Sequence, residues 1–204
     1  MGIAERKFRE RTAMRKLILQ AALDLYLQEG PEHTTMRKIA KKIDYSPTTI
    51  YLHYQSKNAI LYEMQKMAFA MLLKFLYSNQ VQENPYLELK NLGKAYIEFG
   101  VMYPKHYELM FMLRSPMEGV EEEQPFKNFH ETYAFMLGIM TSCISTGKVK
   151  YMDPVTALLQ FWGILHGLTS SYINNRLSMT CASDQLTLDF VHQVWDAYII
   201  SMQA

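Results

Sequence analysis

An all-α fold of about nine helices is predicted by three features of this sequence. Apolar residues recur at three- and four-residue spacing along most of the chain. Capping residues and prolines stand where those stripes begin, as at Thr35, Ser46-Pro47 and Ser56. β-Branched residues are scattered, and no strand-like alternation of apolar and polar positions is sustained. At 204 residues the chain suits one or two small domains, with ample length for a buried core.

In order, Met14, Leu17, Ile18, Ala21 and Leu25 line one face of a first helix that stops near Gly30-Pro31. Thr34 and Thr35 start a second, shorter helix with Met36, Ile39, Ala40 and Ile43 as its apolar stripe. Asp44 follows where the chain must turn sharply, in a left-handed position that glycine usually fills and aspartate tolerates. Ser46 caps a third helix with Pro47 at its first position, and Ser56 caps a fourth that runs to about residue 79. Further helices are expected at roughly 85–103, 104–113, 122–145, 154–175 and 183–202, with 115–125 as an acidic loop. The expected division is a head of residues 1–55, with a basic arm at 1–11, and a helical body of residues 56–204.

The formal net charge of +1 hides an uneven distribution. Residues 1–57 hold eleven Lys/Arg and six Asp/Glu, a net +5, and the remainder is −4. A basic head facing a polyanion and a mildly acidic body fit that asymmetry, as does a merely solvated charged face. Cys143 and Cys181 lie far apart with no Cys-x-x-Cys pair and no histidine at ligand spacing, so neither a disulfide framework nor a zinc site is expected. Reduced thiols in a cytoplasmic protein are the default, with no cofactor or metal. Gln20 and Asp24 interrupt the first hydrophobic stretch, unlike a signal peptide's core. Residues 155–175 lack Lys, Arg, Asp and Glu but carry Gln160, His166 and Thr169-Ser170-Ser171, too polar for a lipid-facing span and read as a helix buried in protein. No nucleophile–base pair or metal cluster stands out in the sequence, which leaves an enzyme as the weaker reading.

The third helix decides the functional reading. It has at most two turns, too short to be stable alone. Ile50 and Tyr54, four apart, can face inward onto Ala40 and Ile43, leaving Thr48, Thr49, Tyr51 and His53 on the outer and flanking faces. Two helices joined by a tight turn, the second polar and outward-looking, form a helix-turn-helix that can enter a DNA major groove. Tyr45 is expected in the core with Tyr54.

Residues 34–61, TTMRKIAKKIDYSPTTIYLHYQSKNAIL, resemble the DNA-binding signature of the TetR-type (tetracycline-repressor-like) bacterial transcriptional regulators. The shared pattern is a Thr-Thr start, an Ile-Ala core pair, a turn, a serine, Thr-x-Tyr, an aromatic-rich end and Ser-Lys. With the preceding helix the resemblance spans roughly residues 8–61. Asp44 departs from the family's usual glycine, which implies a slightly costlier turn. The resemblance implies that Thr35 and Arg37 approach phosphate, that Pro47, Thr48, Thr49, Tyr51 and His53 occupy the recognition-helix face, and that Lys57 pairs with phosphate. Thr35 also reads as a cap, Tyr51 as partly core and His53 as packing at the helix end. The basic arm reads either as a source of phosphate or minor-groove contacts or as disordered.

WGILHG, residues 162–167, preceded by YPKHYELMF at 103–111, is similar to a subtype of regulator body with a Trp-x-x-x-His-Gly element. Gly163 and Gly167 share one helix face, and each costs up to ~1 kcal/mol relative to alanine. A close neighbour should compensate, either a second subunit or another helix of the same one. The resemblance implies a homodimer built on the last two long helices, with Trp162, Gly163, Gly167, Trp195, Tyr198 and Ile199 as interface candidates. Met67, Met71, Phe99, Met102, Met110, Tyr133 and Met136 form stripes that read as plain core or, with Gln160 and His166, as a pocket for an apolar or mildly polar effector. His166 reads equally as a hydrogen-bonded core histidine. The implied function is repression from a palindromic DNA operator with release by a small hydrophobic effector; a regulator with no such effector is the alternative.

Overall fold

Helix α1, Ile3–Glu29, is 27 residues long and behaves as two halves. Ile18, Ala21, Ala22, Leu25 and Tyr26 bury one face of its second half, whereas residues 2–13 are exposed throughout. The expected basic arm is therefore helical from Ile3 onward. The computed structural model describes residues 2–81, 84–113, 127–151, 153–179 and 187–204. Among these residues there are nine α-helices, a short 3-10 turn at Leu177–Met179 and no strand, only an isolated antiparallel bridge between Val149 and Gln203.

Helices α2 (Met36–Lys42) and α3 (Pro47–Tyr51) follow α1 as expected. The Thr35 side chain accepts from Lys38 N, and Ser46 Oγ accepts from Thr49 N, so both caps satisfy a helix-start amide. Between the helices Asp44 has φ +57°, with its N–H donating to Lys41 O (3.3 Å) and the Tyr45 N–H to Ala40 O (3.0 Å). That pair of bonds is the left-handed helix stop that glycine favours. Asp44→Gly is expected to raise unfolding stability by about 0.5–1 kcal/mol, the left-handed strain it relieves exceeding the entropy glycine adds to the unfolded chain. Urea titration checks this; a lower midpoint would mean that the aspartate side chain contributes more than the strain costs.

Two compact units result. The first comprises Met1–Ala68 and the described residues of Glu108–Pro125. Ile18, Ala22, Tyr26, Ile39, Ala40, Ile50, Tyr54 and Ile60 make its core, each at most 3 % exposed. The first part of α4 (Lys57–Ser78) belongs here, and Gln65 Nε2, buried, donates to Leu109 O at 2.8 Å.

The second unit comprises Phe69–Tyr107 and the described residues of Phe126–Ala204. Helix α5 (Pro85–Met102) is packed on α7 (Lys127–Ser145), α8 (Pro154–Ile173) and α9 (Leu188–Ser201), and α6 (Pro104–Phe111) starts here. Two close approaches fix this packing. The Trp195 indole lies against Gly93, donating Nε1–H to Lys90 O (3.0 Å) and meeting Phe161 edge-on at 5.0 Å between centroids. Thr169 and Tyr107 lie against Gly100.

Several expectations change. Helix α8 is not buried all round, because Val155, Leu159 and Ile164 are 43, 56 and 40 % exposed. Helices α7 and α9 were expected from 122 and 183; residues 122–126 and 183–186, the acidic run of 115–125 and Cys181 lie outside the described residues. Cys143 is buried, donates to Pro85 O, and burial followed by the Glu88 charge pushes its thiol up to about 12. Among the described residues no helix is long and apolar enough to cross a membrane, and no group of three or more His, Cys, Asp or Glu could hold a metal ion.

Candidate nucleic-acid interface

Helix α3 has five residues, so its surface follows from helical spacing alone. Ile50 points into the core and is fully buried, which turns Thr48 and Leu52, on the opposite side, outward. Leu52 is 73 % exposed and Tyr51 54 %, both far above what a core residue shows. Thr48 and Pro47 are exposed; Thr49 is half-buried, its hydroxyl 3.0 Å from Ser46 Oγ. The helix thus offers hydroxyls, a phenol and an aliphatic side chain, groups that suit base edges, phosphates and thymine methyls.

The flanking residues divide. Thr35 is exposed, and with its oxygen accepting from Lys38 N its hydroxyl proton stays available to a phosphate. Arg37 is exposed with no ion pair among the described residues, whereas Lys38 is hydrogen-bonded to Glu29 and holds that carboxyl below its usual range. Lys57 is half-buried and donates to Pro31 O at 2.6 Å, which leaves two of its ammonium hydrogens. His53 is half-buried beside α1 rather than on the Thr48–Leu52 face, with Nδ1 buried and unpartnered. Burial, then the charges of Arg11 and Arg15, hold its imidazole below the ordinary value. Arg15 ties α1 to the end of α3: its Nη1 donates to His53 O at 2.6 Å, and its guanidinium stacks 4.1 Å from the centroid of Tyr54.

Sequence reasoning missed three of these residues. Tyr45, expected in the core, is 45 % exposed beside the turn. Leu52 was passed over although it lies four residues after Thr48 and shares its face. Arg15 was counted only as charge.

The chain matches the family model described as bacterial regulatory proteins, tetR family, over residues 18–64, and the tetracyclin repressor-like C-terminal domain over residues 89–194. The chain belongs to the tetR family. That is a family of transcriptional regulators, not of enzymes. Among tetR-family relatives, the chain is similar to the HTH-type transcriptional regulator TcmR of Streptomyces glaucescens, 36% identical over 59 residues, 29% of this chain and 25% of TcmR. It is also similar to the biofilm operon icaADBC negative transcriptional regulator IcaR of Staphylococcus aureus, 30% identical over 71 residues, 35% of this chain and 38% of IcaR. These matches span well under half of either relative's length. A TetR-family regulator from Pectobacterium atrosepticum has the same fold, with a TM-score of 0.72 at 15% identity over 96% of this chain and 97% of that one. One from Shewanella sp. PV-4 gives 0.69 at 13% identity over 93% and 98%.

The residues read as effector-lining in the tetR-type body differ in exposure. Phe99, Met110 and Met136 are buried, Met110 in the first unit and the other two in the second. Met71, Tyr133 and His166 are half-buried. Met67, Met102 and Gln160 are on the surface, the two methionines 44 and 59 % exposed, because their positions fall on outward helix faces. His166 is part of a hydrogen-bonded row: Trp162 Nε1–H donates to Tyr96 Oη (3.2 Å), the Tyr96 and Tyr107 hydroxyls are 3.2 Å apart, and Tyr107 Oη is 2.7 Å from His166 Nδ1. Burial lowers the His166 pKa, and a neutral ring accepting at Nδ1 lets each hydroxyl both accept and donate.

The interface candidates also divide. Trp195 and Ile199 are fully buried within the single chain, since α9 turns them onto α5 and α8, so they are core residues and not surface. Trp162 and Tyr198 are half-buried. Gly163 and Gly167 are exposed, and a Cβ on either would meet nothing within 4 Å, so tight packing inside one subunit does not explain them.

Proposed function

We propose that the chain is a sequence-specific DNA-binding transcriptional regulator, a repressor, that works in the cytoplasm as a homodimer on a palindromic operator. The observation that carries this is the outward face of α3, where Thr48, Tyr51 and Leu52 are exposed while a buried Ile50 and a capped start hold the helix in place. Thr48, Thr49, Tyr51 and Leu52 would read base edges, with Thr35, Arg37 and Lys57 on phosphates. IcaR is a negative transcriptional regulator, which favours repression.

The exposed stripe Leu159, Gly163, Ile164 and Gly167 on α8, with Ile200 on α9 (59 % exposed), is the surface we assign to the partner subunit. Two glycines there permit close backbone approach, which accounts for their cost in the helix. For release we propose a small apolar effector in the second unit, beside the aromatic cluster of Phe75, Phe99 and Tyr103 (centroids 5.3–6.4 Å apart), with Met71 one turn before Phe75 on α4. The effector can lower operator affinity only by the ratio of its affinities for the two states. The stacked Trp162 and His166 rings (centroids 5.1 Å apart), joined through the Tyr96 and Tyr107 hydroxyls, support reading the Trp-x-x-x-His-Gly element as the mark of a body subtype.

Selection from random duplex DNA tests the reading, with a Thr49→Ala/Tyr51→Ala variant alongside. The wild type should enrich a palindrome, and the variant should bind it about a hundredfold more weakly, at ~1–3 kcal/mol for each lost base contact. Enrichment of no sequence by the wild type would overturn the reading.

A further inference from the structure

The N-terminal turns of α1 precede the part of the chain shared with the family model. At 3.6 residues per turn, Lys7, Arg11 and Arg15 fall within an arc of about 80° on the helix face that also carries Ile18, Ala22 and Leu25. One continuous face is thus apolar where the head packs on it and basic where the helix runs past the head. Arg15 marks the changeover, committed to His53 O, the Tyr54 ring and Glu63 (3.6 Å). Arg11 and Lys7 follow about 6 and 12 Å farther along the axis. Both are exposed without an ion pair among the described residues, and Arg11 is near enough to His53 to depress its pKa. A shallow concavity of about 370 Å³ runs along this face, lined by Phe8, Arg11, Thr12 and Arg15. The other basic residues of these turns differ: Arg6 pairs with Glu10 at 3.6 Å, and Arg6 and Arg9 lie well off the row.

We propose that Lys7 and Arg11 form a second DNA contact, gripping the sugar-phosphate backbone that flanks the base pairs read by α3. The inference rests on α3 being the reading helix. The row starts beside the end of α3, so a duplex docked on α3 carries its backbone past Arg11 and Lys7. It is a charge contact, indifferent to sequence, that widens the footprint and raises affinity without altering the preferred operator.

Operator affinity measured against salt tests this, using wild type, Lys7→Gln/Arg11→Gln and Arg6→Gln/Arg9→Gln. Glutamine keeps helix propensity while removing charge, and both doubles change the net charge equally. The expected result for Lys7→Gln/Arg11→Gln is a log–log slope shallower by about 1.8 per head engaged, from two phosphate contacts at ~0.9 each. It should still enrich the wild-type operator. Arg6→Gln/Arg9→Gln should keep the wild-type slope, and trimming the duplex to its core should weaken the wild type but not Lys7→Gln/Arg11→Gln. A wild-type slope in Lys7→Gln/Arg11→Gln, or equal flattening by both doubles, overturns the contact while leaving the operator reading intact. If the wild type enriches no operator, the reading of α3 fails and the flanking contact falls with it.

Discussion

Gly93→Ala is expected to lower unfolding stability by about 3 kcal/mol, the upper end of what overpacking a core costs. In a chain of this size that is a fall in Tm of about 6–12 °C. A Cβ at position 93 would sit inside the contact radius of the Trp195 indole, and the ring has nowhere to go. It is fully buried, its Nε1–H is bonded to Lys90 O, and Phe161 closes its face. The ~1 kcal/mol that alanine normally gains over glycine inside a helix offsets only part of the clash. Calorimetry gives the answer directly. An unchanged or higher Tm would mean that the α5–α9 contact relaxes freely and does not fix the second unit.

A glycine replaced on α8 should have the opposite effect in the single chain. Gly163→Leu/Gly167→Leu adds side chains into open space and replaces two poor helix formers, so the isolated subunit should be at least as stable as wild type. The dimer should suffer instead. Leucine on both faces of a close approach costs about 1–3 kcal/mol per residue, and four such residues meet across a two-fold interface. A dissociation constant raised by about 10³ or more is expected, with operator binding lost in proportion because linked half-sites are required. Sedimentation equilibrium reads the first quantity and a binding titration the second. A dimer constant that does not move would place the interface on another face and leave the two glycines as a local helix defect.

Features set within a few residues were legible in the sequence. The caps at Thr35 and Ser46, the left-handed turn at Asp44 and the inward Ile50 and Tyr54 depend on local dihedrals and on 3.6-residue spacing, and each stands in the structure as expected. Leu52 was equally legible, four residues from Thr48 on the same face. For Tyr45 spacing was no guide, because it sits in the turn between two helices.

The body was less legible, for a physical reason. Periodicity tells which side of a helix is apolar but not what covers it. Helix α8 has apolar residues around most of its circumference, so the sequence alone determined that it is a helix and left open which side meets α5. The tertiary structure decided that Phe161 and Leu165 are core while Leu159 and Ile164 remain outside. It also decided that Trp195 and Ile199 belong to the interior, through a contact with α5 about a hundred residues away in the chain. The all-helical class, the helix-turn-helix and the basic head follow from short-range preferences that each segment carries with it. The buried tryptophan and the open glycines exist only once distant segments have docked, because burial is a property of the neighbours a side chain acquires.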